Sequence, residues 1–432
     1  MIIGAGLAGL HAASLLEDSG AKVIVLEGAN RIGGRVHTLL DVPGQPPAGG
    51  IQIGSFYTRL IAIAKKLGVE LTPGGEFDRS ALYAIGGQAV PQVQWPTSEA
   101  NKLVGGERAI PPFVLAQAIG RRMPQLSSIG AWMGDEGRAL DIPYSAALRA
   151  AGASDEAIRL IGCNLDRGHL DTLSALNSAR SAAIYRSAGT DTALKVIAGG
   201  GQKLTDAMAT VLHNYPRLNQ VVTGIAESES GVRIDVAGSS SITARHVICT
   251  IPFSVLRTIG LQGPSAEVIR TAIATLPYDH ASFAYLSARE PFWKNDGLPS
   301  MVWSDDPQIG RVFVLGDDPA LLKVWLAGPD ADAIDRLPHA EAGAAIIARL
   351  EAARPSARGQ LRLERMFSWQ DNLMARGTYH RLNAGQAPML AAAATAIGQR
   401  LHFAGEHLAQ LSSGLEGALE SGARAAQKIM QK

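Results

Sequence analysis

Short apolar runs that end at glycine alternate along this chain with stretches of helical apolar spacing. Met1-Ile2-Ile3 reads as the end of a buried strand, followed at once by Gly4-Ala5-Gly6-Leu7-Ala8-Gly9. Leu10 to Ser19 is predicted as a helix, with small residues (Ala12, Ala13, Ser14) where it must lie against a sheet. Gly20 stops it, Lys22 to Leu26 is a second apolar strand, and Glu27 sits at its end. Tyr57 to Leu67 has helical spacing (Leu60, Ile61, Ala64, Leu67) and ends at Gly68. From about 70 to 190 the pattern is mostly helical, broken at Pro91, Pro96, Pro111-Pro112, Pro124 and Pro143. Within it Ser154-Asp155-Glu156 has the look of a helix start, with a capping hydroxyl and acids in the first turn.

Beyond residue 190 the pattern changes to strands. Gly199-Gly200-Gly201 precedes a helix over Leu204 to Leu212, and Leu218 to Ala226 with Gly231 to Val236 reads as a hairpin. His246 to Pro252 is a buried strand. Further strands are predicted at Phe283 to Ala288, Arg311 to Leu315, Leu322 to Leu326 and Arg362 to Trp369, with a helix over Ala340 to Ala353. His402-Phe403-Ala404-Gly405-Glu406 is a last strand and turn, and Gly414-Leu415-Glu416-Gly417-Ala418 opens the final helix.

The opening strand, GxGxxG turn, helix, strand and acid are in the order of a dinucleotide site. Gly4 makes the tight turn, Gly6 admits a pyrophosphate to the backbone, and Gly9 lets helix and strand pack closely. The helix amino terminus faces the phosphates, and Glu27 is placed to bond a ribose hydroxyl. Arg31-Ile32-Gly33-Gly34-Arg35-Val36 follows directly, and a nicotinamide site has no evident use for it. Two guanidinium forks beside two glycines suit a second grip on a pyrophosphate, which favours FAD over NAD.

The 432 residues allow two domains and a large core. Forty basic against 39 acidic residues leave a net charge of +1, which points to neither nucleic acid nor an anionic membrane as partner. Cys163 and Cys249 lie in apolar settings and imply buried thiols, with no disulfide framework and no metal site. No apolar run reaches the roughly 20 residues of a transmembrane helix. Met1 already lies in the first strand, so the chain as it stands reads as cytoplasmic. That strand is shorter than the usual five or six residues, so an export signal upstream stays open.

The arginine–glycine motif resembles that of the flavin-containing amine oxidases, the family of monoamine, polyamine and L-amino-acid oxidases. The resemblance implies an α/β fold: a Rossmann-type FAD-binding domain of the GG-motif kind, interleaved with an α+β substrate-binding domain. The FAD domain would comprise 1–56, 190–260 and 396–432, and the substrate domain 57–189 and 261–395. Ala48-Gly49-Gly50-Ile51 resembles the segment running past the flavin ring, and adenine would be held near Val221-Val222. Glu406 would bond a ribityl or ribose hydroxyl and Gly405 the pyrophosphate. The helix start at Leu415 would point at the flavin edge where charge develops on reduction.

The implied reaction is hydride transfer from the carbon bearing an amine to flavin N5, with hydrolysis of the imine and reoxidation by oxygen to hydrogen peroxide. The partners are then a small amine or amino acid and oxygen or another acceptor, and a homodimer stays open. The segment from Trp369 to Gly377-Thr378-Tyr379 points to amine chemistry, since in the family it resembles, the residue at Tyr379 is one wall of an aromatic cage over the flavin. Position 378 carries a flavin-linking cysteine in some members; threonine cannot make that bond, so FAD should be noncovalent. In register with Pro291-Phe292-Trp293, the lysine many members hold near N5 falls on Phe283, which predicts slow reaction with oxygen. The second cage aromatic falls on Gly414, which predicts a half-open cage with room for a bulky amine. Arg79 is the one candidate clamp for a substrate carboxylate. Two other readings of the scaffold are a flavin-dependent C–C desaturase or isomerase and a noncatalytic FAD-binding protein.

Overall fold

Three distant parts of the chain meet in one four-stranded parallel sheet, ordered Val25–Leu26, Ile2–Ile3, Val247–Cys249, Leu401–Phe403. In the computed structural model the described residues are 1–74, 80–163, 165, 169–189, 191 and 193–431. The strands are short and almost wholly apolar because helices cover the sheet. Leu7–Asp18 and the last helix, Gly414–Met430, pack on each other there, so closely that a Cβ at Gly422 would stand 2.2 Å from the Ala8 carbonyl oxygen. The strand expected over Lys22 to Leu26 shrinks to Val25–Leu26, since its partner Ile2–Ile3 offers only two residues to pair with.

The predicted hairpin forms as Val222–Glu227 against Val232–Val236 and belongs to a second four-stranded sheet. The third sheet has seven strands, ordered Leu361–Ser368, Ala281–Ala288, Ala320–Ala327, Arg311–Asp317, Met301–Ser304, Ala81–Ile85, Gln88–Pro91. Its last two strands correct the helical reading of 70–190. All five residues of Ala81–Ile85 are buried, so no alternation of apolar and polar positions marks them as a strand. Gly86-Gly87 makes the turn that pairs them with Gln88–Pro91. Leu71–Pro73 is likewise a strand, paired with Leu194–Ile197, and the remaining described elements of the region are helices and short 3₁₀ turns such as Gln92–Thr97 and Gly105–Ala109 near the prolines. Ser154 does cap Asp155–Cys163, its hydroxyl accepting from the Ala157 amide at 3.2 Å.

Two contacts lock the four-stranded parallel sheet and its helices to the rest. Glu416, in the first turn of the last helix and almost fully buried, accepts from the amides of Arg59 (3.0 Å) and Leu60 (3.1 Å). These are orphan donors at the start of the helix Thr58–Lys66, so one helix caps another. On the other side, Leu39, Ala48, Phe283, Tyr285 and Trp369 form an apolar cluster between the seven-stranded sheet and the Pro47–Gly49 segment.

Candidate active site

A cavity of about 960 Å³ runs between the sheets, at the upper end of the roughly 300–1,000 Å³ usual for ligand sites. Its wall brings together Gly4, Gly6, Glu27, Gly33, Gly34 and Arg35 from the start of the chain and Gly405, Glu406, Gly414 and Leu415 from its end. Gly50, Ile51, Val222 and Tyr379 join them. Gly9 lies behind, where a Cβ would stand 1.9 Å from the Gly4 carbonyl oxygen; only glycine lets the helix approach its strand there. Gly4 itself holds φ +103°, and a Cβ would meet the Thr250 hydroxyl at 2.3 Å.

At one end of the cavity Glu27 accepts from the amides of Ala5 (2.7 Å) and Ala29 (2.9 Å), tying the glycine turn to the loop after the second strand. The two arginines divide their work. Arg31 folds the loop around itself, donating to the carbonyls of Ile32 (3.1 Å), Val36 (3.2 Å) and Gly34 (2.6 Å). Arg35 faces the far side, donating to the Thr378 carbonyl and standing 3.8 Å from the Glu406 carboxylate.

Around Glu406 a charged knot is buried. His380 Nδ1 stands 3.2 Å from Glu406 Oε2. Burial would raise the Glu406 carboxyl, but His380 and Arg35 beside it outweigh that and hold it well below the usual carboxylate range. The neighbouring His407 packs against Phe253 with ring centres 4.2 Å apart, and neither ring nitrogen has a described hydrogen-bond partner. Burial first, then His380 and Arg35, push its pKa down to about 3, so the ring is neutral.

The residues expected at the chemistry separate into two layers. Tyr379 and Gly414 line the cavity. Trp369 and Phe283 do not: they are 3% and 2% exposed and stand in the aromatic cluster behind the wall. Trp369 Nε1 donates to the Ala48 carbonyl at 3.0 Å, which braces the Pro47–Gly49 segment from behind. Thr378 is buried and its hydroxyl donates to the Asp279 carbonyl at 2.9 Å. Arg79 lies outside the described residues.

Two corrections come from residues that sequence reasoning missed. The Phe283 position is not without an ammonium nearby: Lys323, from the adjacent strand, lies over the Phe283 ring. A lysine inside the apolar run Leu321-Leu322-Lys323-Val324-Trp325-Leu326 was the available signal. Nor is the space beside Gly414 vacant. A Cβ there would stand 2.8 Å from the Tyr57 hydroxyl, so a phenol from the start of another helix reaches into the expected gap.

Among the described residues no helix is long and apolar enough to cross a membrane. The family model described as flavin containing amine oxidoreductase matches residues 7–430. The chain is 28% identical to the flavin-dependent L-tryptophan oxidase RebO of Lentzea aerocolonigenes, over 99% of this chain and 97% of that enzyme. It is 26% identical to an L-amino-acid oxidase of Mus musculus, over 99% and 70%. Among solved structures, cyclohexylamine oxidase from Brevibacterium oxydans IH-35A superposes with a TM-score of 0.82 at 23% identity, over 100% of this chain and 98% of that one. Putrescine oxidase bound to putrescine gives 0.80 at 23%, with the same coverage. At that identity the two structures speak for the fold.

Proposed function

Because the chain belongs to the flavin-containing amine oxidoreductase family, we propose that it oxidises a small amine or α-amino acid at the carbon bearing the nitrogen, with oxygen as acceptor. The balanced reaction is amine, oxygen and water to carbonyl compound, ammonia or a smaller amine, and hydrogen peroxide. One observation carries this reading: the glycine and arginine motifs from both ends of the chain share a single cavity with Tyr379.

The wall fits noncovalent FAD. The glycine turn with the amino terminus of Leu7–Asp18 suits the pyrophosphate, Glu27 the ribose, and backbone near Val222 the adenine. Arg35 supplies the remaining positive charge, and Glu406 an acceptor for a ribityl or ribose hydroxyl. Gly50 and Ile51 would run along the flavin ring, with the helix start at Leu415 toward the edge that gains charge. A bound flavin supplies the hydride acceptor, so no nucleophile or metal is required of the protein.

What the chain's own residues do is orient and exclude. Tyr379, on the cavity wall, would set its ring beside the substrate nitrogen, favouring the amine there. Its backbone is held from two sides, by Arg35 on the Thr378 carbonyl and by the Asp279 amide, which donates to the Tyr379 carbonyl at 2.9 Å. The aromatic cluster of Phe283, Tyr285 and Trp369 closes the far side of the Pro47–Gly49 segment to water.

The test is anaerobic titration of the purified flavoprotein with primary, secondary and polyamines and L-amino acids, followed by oxygen. Bleaching of the flavin with stoichiometric peroxide and ammonia or amine release is expected for at least one class. A flavin that no amine bleaches would sink the reading.

A further inference from the structure

We propose that Tyr57 is a substrate-contacting, specificity-determining residue whose hydroxyl donates a hydrogen bond to an acceptor oxygen carried by the amine substrate. The proposal rests on the amine-oxidation reading above and goes beyond it by naming a residue and the class of substrate group it selects.

Three observations place the hydroxyl. Tyr57 lines the same cavity as Tyr379 and Gly414. Its ring is held edge-on by Phe56, centres 4.9 Å apart, and Phe56 in turn meets Tyr185 at 5.5 Å. Tyr185 is 62% exposed, so this file of three rings runs from the interior to the mouth of the cavity. The backbone cannot drift, because the Tyr57 amide bonds the Gly54 carbonyl at 3.0 Å and Glu416 takes the next amides at Arg59 and Leu60.

Glycine at 414 is what admits the hydroxyl. Gly414 holds φ +58°, where side chains are disfavoured, and any Cβ there would crowd the Tyr57 oxygen. Among the described residues no hydrogen bond engages that oxygen, and Tyr57 is half-buried on the cavity wall, so its hydroxyl is available to a ligand there. It also stays protonated, since burial, then Tyr185, Glu406 and Glu416, push its pKa far above the ordinary value. A neutral donor aimed into a cavity recognises an acceptor on the ligand. Arg180 lines the same cavity, stacked over Trp132 and donating to the Ala409 carbonyl at 3.3 Å. The acceptor can take the form of a carboxylate or of a hydroxyl.

The experiment compares wild type with Tyr57→Phe on L-phenylalanine, L-phenylalaninol and 2-phenylethylamine, which share a ring and an amine. Only the first two carry an oxygen acceptor, charged in one and neutral in the other. The variant is expected to lose tenfold or more in kcat/KM on an acceptor-bearing substrate and less than threefold on 2-phenylethylamine. Loss confined to L-phenylalanine identifies a carboxylate; loss on both identifies any oxygen acceptor. FAD affinity, read from flavin fluorescence during titration of the apoprotein, is expected to be unchanged. Equal losses on all three, or weakened FAD binding that accounts for them, would overturn the role. A wild-type flavin reduced by none of the three or by any other amine would instead remove the amine reading, and this proposal with it.

Discussion

The ammonium of Lys323 lies 3.7 Å from the centre of the Phe283 ring, with the rings of Trp325 and Tyr285 at 4.9 and 5.8 Å. Lys323 is 2% exposed, and its Nζ reaches the Pro47 carbonyl oxygen at 3.5 Å. Such a cage compensates a buried cation in part. The Phe283 position, where the register of the sequence leads one to expect a lysine, therefore has an ammonium beside it from the neighbouring strand. Lys323→Met is expected to slow reoxidation by oxygen about tenfold without slowing flavin reduction, read by stopped-flow mixing. Phe283→Lys would set two ammoniums side by side, and a lower Tm is expected rather than faster reoxidation. Reoxidation unaffected by Lys323→Met would free oxygen reactivity from this cage.

The Thr378 hydroxyl is engaged with the Asp279 carbonyl and offers no sulfur for a thioether. Acid precipitation is expected to leave all of the flavin in the supernatant. Yellow colour in the pellet would mean an attachment elsewhere.

Arg35 links the Gly33-Gly34 loop to the backbone carrying Tyr379. Arg35→Gln removes one charge-assisted bond, worth about 1.5–3 kcal/mol, so FAD affinity is expected to fall roughly ten- to a hundredfold. Arg35→Lys restores charge without the fork and is expected to recover only part of it. Fluorescence titration of apoprotein with FAD measures both.

His407 ties stability to pH. Its folded pKa, about 3, lies below the 6.5 of an unfolded histidine, so the unfolded chain binds the extra proton. Stability is expected to fall as pH drops from 6.5 towards 3, by at most about 1.4 kcal/mol per pH unit from this one group. Glu406, depressed in the fold, adds its own loss only below the ordinary carboxylate range. Tm measured from pH 7 to 4 should decline less steeply in His407→Asn than in wild type. Parallel profiles would place the titration elsewhere.

Gly414→Ala is expected to lower Tm, since a non-glycine residue at φ +58° costs about 1–2 kcal/mol and its Cβ meets the Tyr57 oxygen. In a Tyr57→Phe background the loss should be smaller, because the crowding atom is gone. Strict additivity would show that the two do not touch.

What could be read from the sequence was what is local. The turn at Gly4, the close packing at Gly9 and the acid at Glu27 lie within one stretch whose backbone geometry dictates its residues. The same holds for the motif around Gly33-Gly34 and for the final helix start. The strand Ala81–Ile85 was hidden because burial on both faces erases alternation. Lys323 and Tyr57 were hidden for another reason. Each lies beside a position far away in the chain, Lys323 beside Phe283 through the pairing of Ala320–Ala327 with Ala281–Ala288, and Tyr57 beside Gly414 with the Glu416 cap holding its helix. A contact made by a distant element leaves no mark at the position it fills.

The sheet in which Ile2–Ile3 pairs with Val247–Cys249, itself paired with Leu401–Phe403, dictates an order of events during synthesis. When Ile2–Ile3 leaves the ribosome its neighbour near residue 248 is still to be translated, and the edge strand Leu401–Phe403 comes later again. The helix Gly414–Met430, which covers the first helix and carries part of the cavity wall, is made later still. Loop closure over such separations is slow, and the early apolar segments stay open to aggregation until it happens. The nascent chain therefore has no flavin site to offer. The cavity wall that includes Gly414 and Leu415 is complete only once this helix is made, and chains truncated before it are expected to lose the flavin.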